Sequence, residues 1–269
     1  MNRALGFALL MFSFASGAAG VAQADDLRDL CPDRPLKGTS ACTVDRGHWQ
    51  VEVDAIDWTH DKSAGITTDQ LAIASPLVKY GLTDTLDLEA GMALYTRQHV
   101  SGGGTPSASD SGIGDLYLRA KWHVFGTNGQ DGIAIEPYIK APTAKHALGN
   151  GEVEGGVIVP WQANLPLGWA LDVTPEVDAL ADQSGSGRHV AASISAGLTH
   201  PITDALSVGL ELWTQHDFDP TGGTREYSFD LALTWQPKGS PVALDGGVNF
   251  GLNRQTPDAE MYVGVSRRF

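Results

Sequence analysis

The sequence predicts an all-β protein: a transmembrane, antiparallel up-and-down β-barrel of about twelve strands, following a cleaved signal peptide. Two features predict it: repeated segments in which apolar and polar residues alternate, and connections that alternate between short turns and longer polar loops. A third is the N-terminus. Met1-Asn2-Arg3 gives a basic head, Ala4 to Phe14 an apolar run, and Ala22-Gln23-Ala24 a small-x-small exit before Asp25. That run is too short to cross a bilayer as a helix, which needs about 20 residues. Residues 1–24 are therefore expected to be removed on export through the Sec pathway.

Residues 25–47 precede the first alternating segment. They contain the only two cysteines, Cys31 and Cys42, which in an exported chain are expected to form one disulfide around Pro32, Pro35 and Gly38. The spacing is not CxxC and no histidine lies between them, so a metal or redox pair is disfavoured. The stapled segment could cap the periplasmic mouth or enter the barrel as a plug; the sequence leaves both open. Net charge is −14, which repels phosphate backbones and disfavours nucleic-acid binding.

Twelve strands are expected over 48–60, 70–80, 86–97, 113–124, 132–141, 152–165, 169–181, 188–200, 206–216, 225–236, 242–253 and 258–269. Leu86 to Tyr95, Asp115 to Trp122 and Tyr227 to Trp235 show the alternation most plainly. Their lengths suit tilted membrane strands of about 9–11 residues, and the count is even, as single-chain bacterial barrels require. Short connections near 81–85, 125–131, 166–168, 201–205 and 237–241 carry Gly81, Asn128-Gly129, Pro166, Pro201 and Lys238-Gly239. The intervening gaps, such as the Gly- and Ser-rich 98–112, are longer and polar, as extracellular loops are. Trp49, Trp122, Trp161, Trp169 and Trp235 fall at the predicted periplasmic ends on the apolar face, the place of an aromatic girdle. Phe269 closes the last strand at the same level, in the manner of barrels recognised by the outer-membrane assembly machinery.

Parity sends the other face inward. It carries many carboxylates, among them Glu136, Asp172, Glu176 and Asp178, and few bases, Arg97, Arg119, Lys121 and Lys140, with Arg268 at the end. A basic residue facing lipid at mid-depth costs roughly 2–4 kcal/mol, so this face is expected to line a wet lumen. The four bases fall on the third to fifth strands, with Tyr95, Tyr117 and Tyr138 on the same wall. These residues are the expected solute pathway: a basic, aromatic wall facing acidic strands would orient passing solutes. Alternatively the charges pair with one another and fill a narrow barrel. Pro137, Pro160 and Pro175 lie mid-strand on three adjacent strands, and each removes a ladder donor. They suggest either a weakened, bulged seam for lateral exit of an apolar solute or simple bulges shaping the wall.

Several stretches look familiar together: Asp29-Leu30-Cys31-Pro32-Asp33-Arg34-Pro35, Gly112-Ile113-Gly114-Asp115-Leu116, Lys140-Ala141-Pro142-Thr143, Leu148 to Gly156, Pro175-Glu176-Val177-Asp178 and the tail from Asn249 to Phe269. The chain resembles the outer-membrane "transporter" family labelled putative meta-pathway of phenol degradation. The resemblance implies an outer-membrane barrel and uptake of small organic compounds, aromatic ones included; it assigns no site residues. Partners expected are outer-membrane lipid, the assembly machinery and small organic solutes, with no cofactor or metal.

Two other readings compete with a passive channel. A barrel enzyme acting on lipid would need a serine beside a histidine; His189 and Ser193 share a predicted inward face but lie four residues apart, and there is no GxSxG or HExxH. Gly149-Asn150-Gly151 lies in a loop with no following helix, which makes a phosphate cradle unattractive. A structural barrel without an open pore is the third reading.

Overall fold

The computed structural model describes residues 27–104 and 106–269; the predicted leader, 1–24, lies outside them. Fifteen strands form a single antiparallel sheet. They are β1 (Trp49–Ser63), β2 (Ile66–Gly81), β3 (Leu86–Gly91), β4 (Tyr95–Gly102), β5 (Ala108–Gly112), β6 (Leu116–Gly126), β7 (Gly132–Ala141) and β8 (Glu154–Ile158). The series continues with β9 (Trp161–Asn164), β10 (Ala170–Ala181), β11 (Arg188–Pro201), β12 (Leu206–Asp217), β13 (Arg225–Trp235), β14 (Val242–Gly251) and β15 (Ala259–Arg268). Neighbours in sequence pair in space, and β1 pairs with both β2 and β15, so the sheet closes. The fifteen segments make twelve staves, because β3 and β4, β5 and β6, and β8 and β9 are each one stave broken once. Closure leaves no free edge at β1 or β15, the condition for a sheet to stand in hydrocarbon, and among the described strands β5 alone pairs on one side only, with β4.

Burial runs opposite to that of a water-soluble core. Lys79, Lys121, Glu52, Glu136, Asp87 and Asp230 are buried, while Leu88, Leu118, Ile139, Val177, Leu212, Leu233 and Val263 are exposed. The expected alternation thus appears with its apolar face outward. Trp49, Trp122, Trp161 and Trp235 are exposed toward the turn-bearing rim and Trp169 half-exposed. Phe269 joins them there, its backbone bonded to Trp49, with the Arg267 guanidinium 4.7 Å from its ring.

One departure resets the inward face of three adjacent staves. Ala55 is bulged between Asp54 and Ile56 against β15. Ala74, opposite it, has φ of 54°, a left-handed conformation that a non-glycine residue rarely takes. The next stave breaks at Met92–Leu94, held by bonds from the Met92 amide to the Pro76 carbonyl (3.2 Å) and from the Leu94 amide to the Ala74 carbonyl (3.0 Å). Each break shifts the side-chain phase by one residue. Below it Glu52, Lys79 and Glu89 face inward; above it Asp57, Gln70 and Thr96 do. Tyr95 and Arg97, expected on the lumen wall, are therefore on the outer face, flanking the buried Thr96. The stretch expected as a loop over 98–112 is mostly strand, a hairpin of β4 and β5 standing above the barrel.

The three prolines do not bulge the wall. The register of β10 against β8 passes from Glu176↔Ile158 to Val173↔Trp161 against β9 without a slip. The Val159 amide bonds the Pro175 carbonyl at 2.9 Å across the gap. β7 likewise keeps one register against β8 and β9. Pro137 and Pro175 face outward, whereas Pro160 points inward and is buried. Each ring removes one rung and leaves the register intact, so the expected bulge is absent and the seam is closed.

Candidate functional site

Residues 27–48 thread into the barrel. Cys31 and Cys42 are bonded, with Cα atoms 6.2 Å apart. The loop they close projects Asp33, Arg34 and Lys37 into the lumen. Of the two placements the sequence left open, the chain adopts the plug.

Inward charges on the first staves hold this plug. Asp33 pairs with Lys79 and with Lys121 (2.5 Å). Lys79 also meets Glu52 at 2.7 Å and Glu89 at 3.7 Å. Lys121 meets Glu136 at 3.2 Å and Glu89 at 3.5 Å, and Arg119 meets Glu136 at 3.2 Å. Burial alone would raise the Asp33 carboxyl, but the Lys121 and Lys79 ammoniums hold it well below the usual carboxylate range. Arg34 reaches the other way, to Asp54 and to Asp245 (2.7 Å). Lys37 pairs with Glu260 at 2.9 Å and lies 5.2 Å from the Trp213 ring centre. Burial disfavours its charge, yet Glu260 keeps it above the ordinary lysine value.

Wall side chains also satisfy the plug's backbone. Glu52 accepts from the Asp33 and Arg34 amides at 3.0 and 3.3 Å, and Glu211 from the Lys37 and Gly38 amides at 2.8 and 3.0 Å. Asp87 accepts from Val44 at 2.9 Å, and Gln236 donates to the Leu30 carbonyl at 2.8 Å. Gly38 fits closely against the wall: a Cβ there would stand 2.5 Å from Ser195 Oγ and 2.7 Å from Glu211 Oε2, so those side chains would have to shift.

Three cavities remain around the loop. The largest, about 530 Å³, lies between the plug and β1–β4, with Asp57, Thr96, Tyr117 and Tyr262 in its lining. A second of about 260 Å³ lies against Asp172, Gly209, Glu211 and Gln236. A third of about 320 Å³ is walled by Tyr117, Arg119, Tyr138, Glu176 and Asp178. Asp33 to Leu36, Gly38 and Thr39 line both the first and second; Lys37, Thr39, Tyr117 and Arg119 line both the first and third. The tip of the plug therefore separates spaces that reach every side of the lumen.

Of the expected pathway residues, Tyr117, Tyr138, Arg119, Asp172, Glu176 and Asp178 line these cavities. Tyr117 and Tyr138 stand 6.2 Å apart, and Tyr138 donates to Asp178 at 2.7 Å. Lys121, Glu136 and Lys140 are buried in ion pairs, Lys140 with Glu154 at 2.6 Å and Asp115 at 3.6 Å. Arg119, Lys121 and Lys140 are thus held in ion pairs, the alternative the sequence left open, and one of those pairs, Lys121 with Asp33, grips the plug. Lys79, Arg34 and Lys37 escape the sequence reading: the phase shift at Ala74 hides the first, and the undecided placement of 25–47 hides the others.

His189 and Ser193 do not form a nucleophile pair. His189 sits between Asp182 (2.9 Å) and Asp217 (2.8 Å), whereas Ser193 turns to Glu176 at 3.5 Å. Two groups among the described residues have metal-ligand spacing, and each is already satisfied. Asp33, Glu89 and Glu136 surround the lysine ammoniums; in the other, Asp219 accepts from Gln183 and Thr221 beside Asp182 and His189.

Residues 32–269 match the family model described as "Putative MetA-pathway of phenol degradation". No curated protein matches the chain in sequence. Among solved structures, an outer membrane channel from Pseudomonas putida F1 is similar over 87% of this chain and 100% of that one, at 18% identity and a TM-score of 0.66. The β domain of the Bordetella autotransporter BrkA is similar over 84% of this chain and 100% of its own, at 14% identity and a TM-score of 0.56. The transport unit of the autotransporter AIDA-I from Escherichia coli covers 83% and 90%, at 10% identity and a TM-score of 0.52. These likenesses show the fold, an outer-membrane β-barrel.

Proposed function

Since the chain belongs to the family described as "Putative MetA-pathway of phenol degradation", we propose that it passes small organic solutes, phenol-like aromatics among them, passively across the outer membrane. The supporting observation is the chain of cavities around the plug, which share lining residues from one wall to the other. A solute of phenol size fits such spaces. The aromatic faces of Tyr117, Tyr138 and Tyr262 and the apolar Leu36, Met92 and Leu148 give it surface to lie against between polar groups. The plug makes the passage narrow and indirect, which favours small solutes over large ones.

The strand ending at Phe269 is the proposed recognition element for barrel assembly, and the outward leucine and valine face the proposed lipid contact. The experiment is a planar-bilayer recording of the purified mature protein, with uptake of phenols by a deletion strain. Discrete conductance steps and slowed uptake are expected. Silence in the bilayer, with unchanged uptake, would leave a structural barrel sealed by its plug. Turnover of lipid by the purified protein would favour the enzyme reading.

A further inference from the structure

Charge in the lumen is distributed unevenly once ion pairs are counted. Every basic side chain lining the three cavities is already paired: Arg34 with Asp54 and Asp245, Lys37 with Glu260, and Arg119 with Glu136. Five carboxylates lining the same cavities are in no ion pair among the described residues. Asp57 lies in the first cavity, Asp172 and Glu211 in the second, and Glu176 and Asp178 in the third. Asp172 has only cavity before it, with no hydrogen-bond donor among the described residues. A solute moving round the plug therefore meets unpaired carboxylates in all three spaces and an unpaired base in none. Where they are ionised, carboxylates lining a narrow passage select by sign over several ångströms.

We infer that this conduit admits neutral and cationic small solutes, aromatic amines included, and excludes aromatic carboxylates. The inference rests on the channel reading above and names its substrate class. An aromatic cation has two kinds of partner along the route: the carboxylates, and the ring face of Tyr138, whose hydroxyl is turned to Asp178. An aromatic carboxylate meets the unpaired Asp57, Asp172 and Glu176 with no available cation to receive it. Each guanidinium or ammonium it could approach already has a carboxylate partner to offset its charge, and two of the three, Arg34 and Lys37, sit on the plug itself.

Reversal potentials across a planar bilayer holding the full mature protein at pH 8 test this. Under a potassium chloride gradient the expected permeability ratio favours the cation by at least about fivefold. Benzylammonium chloride should carry current through the channel, and the anion of potassium benzoate should not. In the triple variant D57N/D172N/E176Q the ratio should fall toward one, because none of the three holds the plug through an ion pair. Conductance with no cation preference, or a benzoate current equal to that of benzylammonium, overturns the inference while leaving the channel intact. An absence of any conductance removes the channel reading and this inference with it.

Discussion

The wall from β1 to β7 and the wall from β10 to β13 face one lumen and use their charges differently. On the first, Lys79, Lys121 and Arg119 interlock with Glu52, Glu89, Glu136 and the plug's Asp33. On the second, Asp172, Glu176, Glu211 and Asp230 have no ion-pair partner among the described residues, and both Asp230 oxygens are buried without a donor. One wall is chiefly an anchorage, in which the buried charges from Glu52 to Glu136 pair with one another and with Asp33 of the plug. On the other, Glu211 accepts from the plug's amides, while Asp172 and Glu176 face the cavities and keep polar capacity that water and passing solutes can use. A polar lumen face read by parity alone looks the same in both cases; pairing separates them.

The largest effect separating the walls is expected from Lys121→Met. It leaves Asp33, Glu89 and Glu136 short of a cation in a buried setting, where losing one partner costs roughly 3–5 kcal/mol. The plug should loosen, read as larger and noisier conductance and a lower unfolding temperature. Asp172→Asn, on the opposite wall, removes no pair and should leave that temperature within about 1–2 °C, since it removes none of the interactions that make a substitution costly. Equal destabilisation by the two would erase the distinction.

Next in size is the disulfide. Replacing Cys31 and Cys42 together by serine frees a loop of eleven-residue separation, a loss of roughly 3 kcal/mol in a chain-entropy account. The effect should fall on the plug, so the barrel's heat stability in detergent should change less than the open probability of the channel. A third substitution, Leu231→Arg, places a charge on the exposed outer face midway along β13 and should cost roughly 2–4 kcal/mol near the bilayer midplane. Measured by detergent-to-lipid refolding yield, it should leave ion selectivity untouched.

The smallest expected effect is that of mild acid on the anchorage. The Asp33 carboxyl is held below its ordinary value by Lys121 and Lys79 against the opposing pull of burial. A depressed carboxylate adds stability that is complete above the unperturbed value and is lost as pH falls through the folded one. Asp33 should therefore keep the plug seated from pH 8 to pH 5, with release only well below about 4. Cysteine-labelling rates at a site on the plug, followed against pH, check this. Accelerated labelling between pH 7 and pH 5 would mean that Asp33 is not the anchor.

The barrel was legible in the sequence because alternation is a local property: each stave states which of its faces meets lipid. The tryptophans at one rim and the turn residues at Asn128-Gly129 and Lys238-Gly239 are equally local. What alternation cannot carry is its own phase through a bulge. Nothing marks Ala55 or Ala74 as a break, and glycine, the usual signal for φ near 54°, is absent from both. Tyr95 and Arg97 were consequently assigned to the wrong face, and Asp57 and Lys79 were overlooked. The ion pairs were illegible for a different reason. Arg34 meets Asp245 and Lys37 meets Glu260 across more than two hundred residues of chain; only closure of the sheet brings them together.

That separation bears on how the protein is made. The plug is synthesised before any stave, yet it is gripped by the first strand and the last two at once. A bulky, cross-linked loop is poorly suited to entering a cylinder already closed. The sheet is better pictured as wrapping around its own leading segment, with β1 and β15 zipping shut over cargo already inside. On that picture, oxidation of Cys31 and Cys42 belongs to the interval before the seam closes.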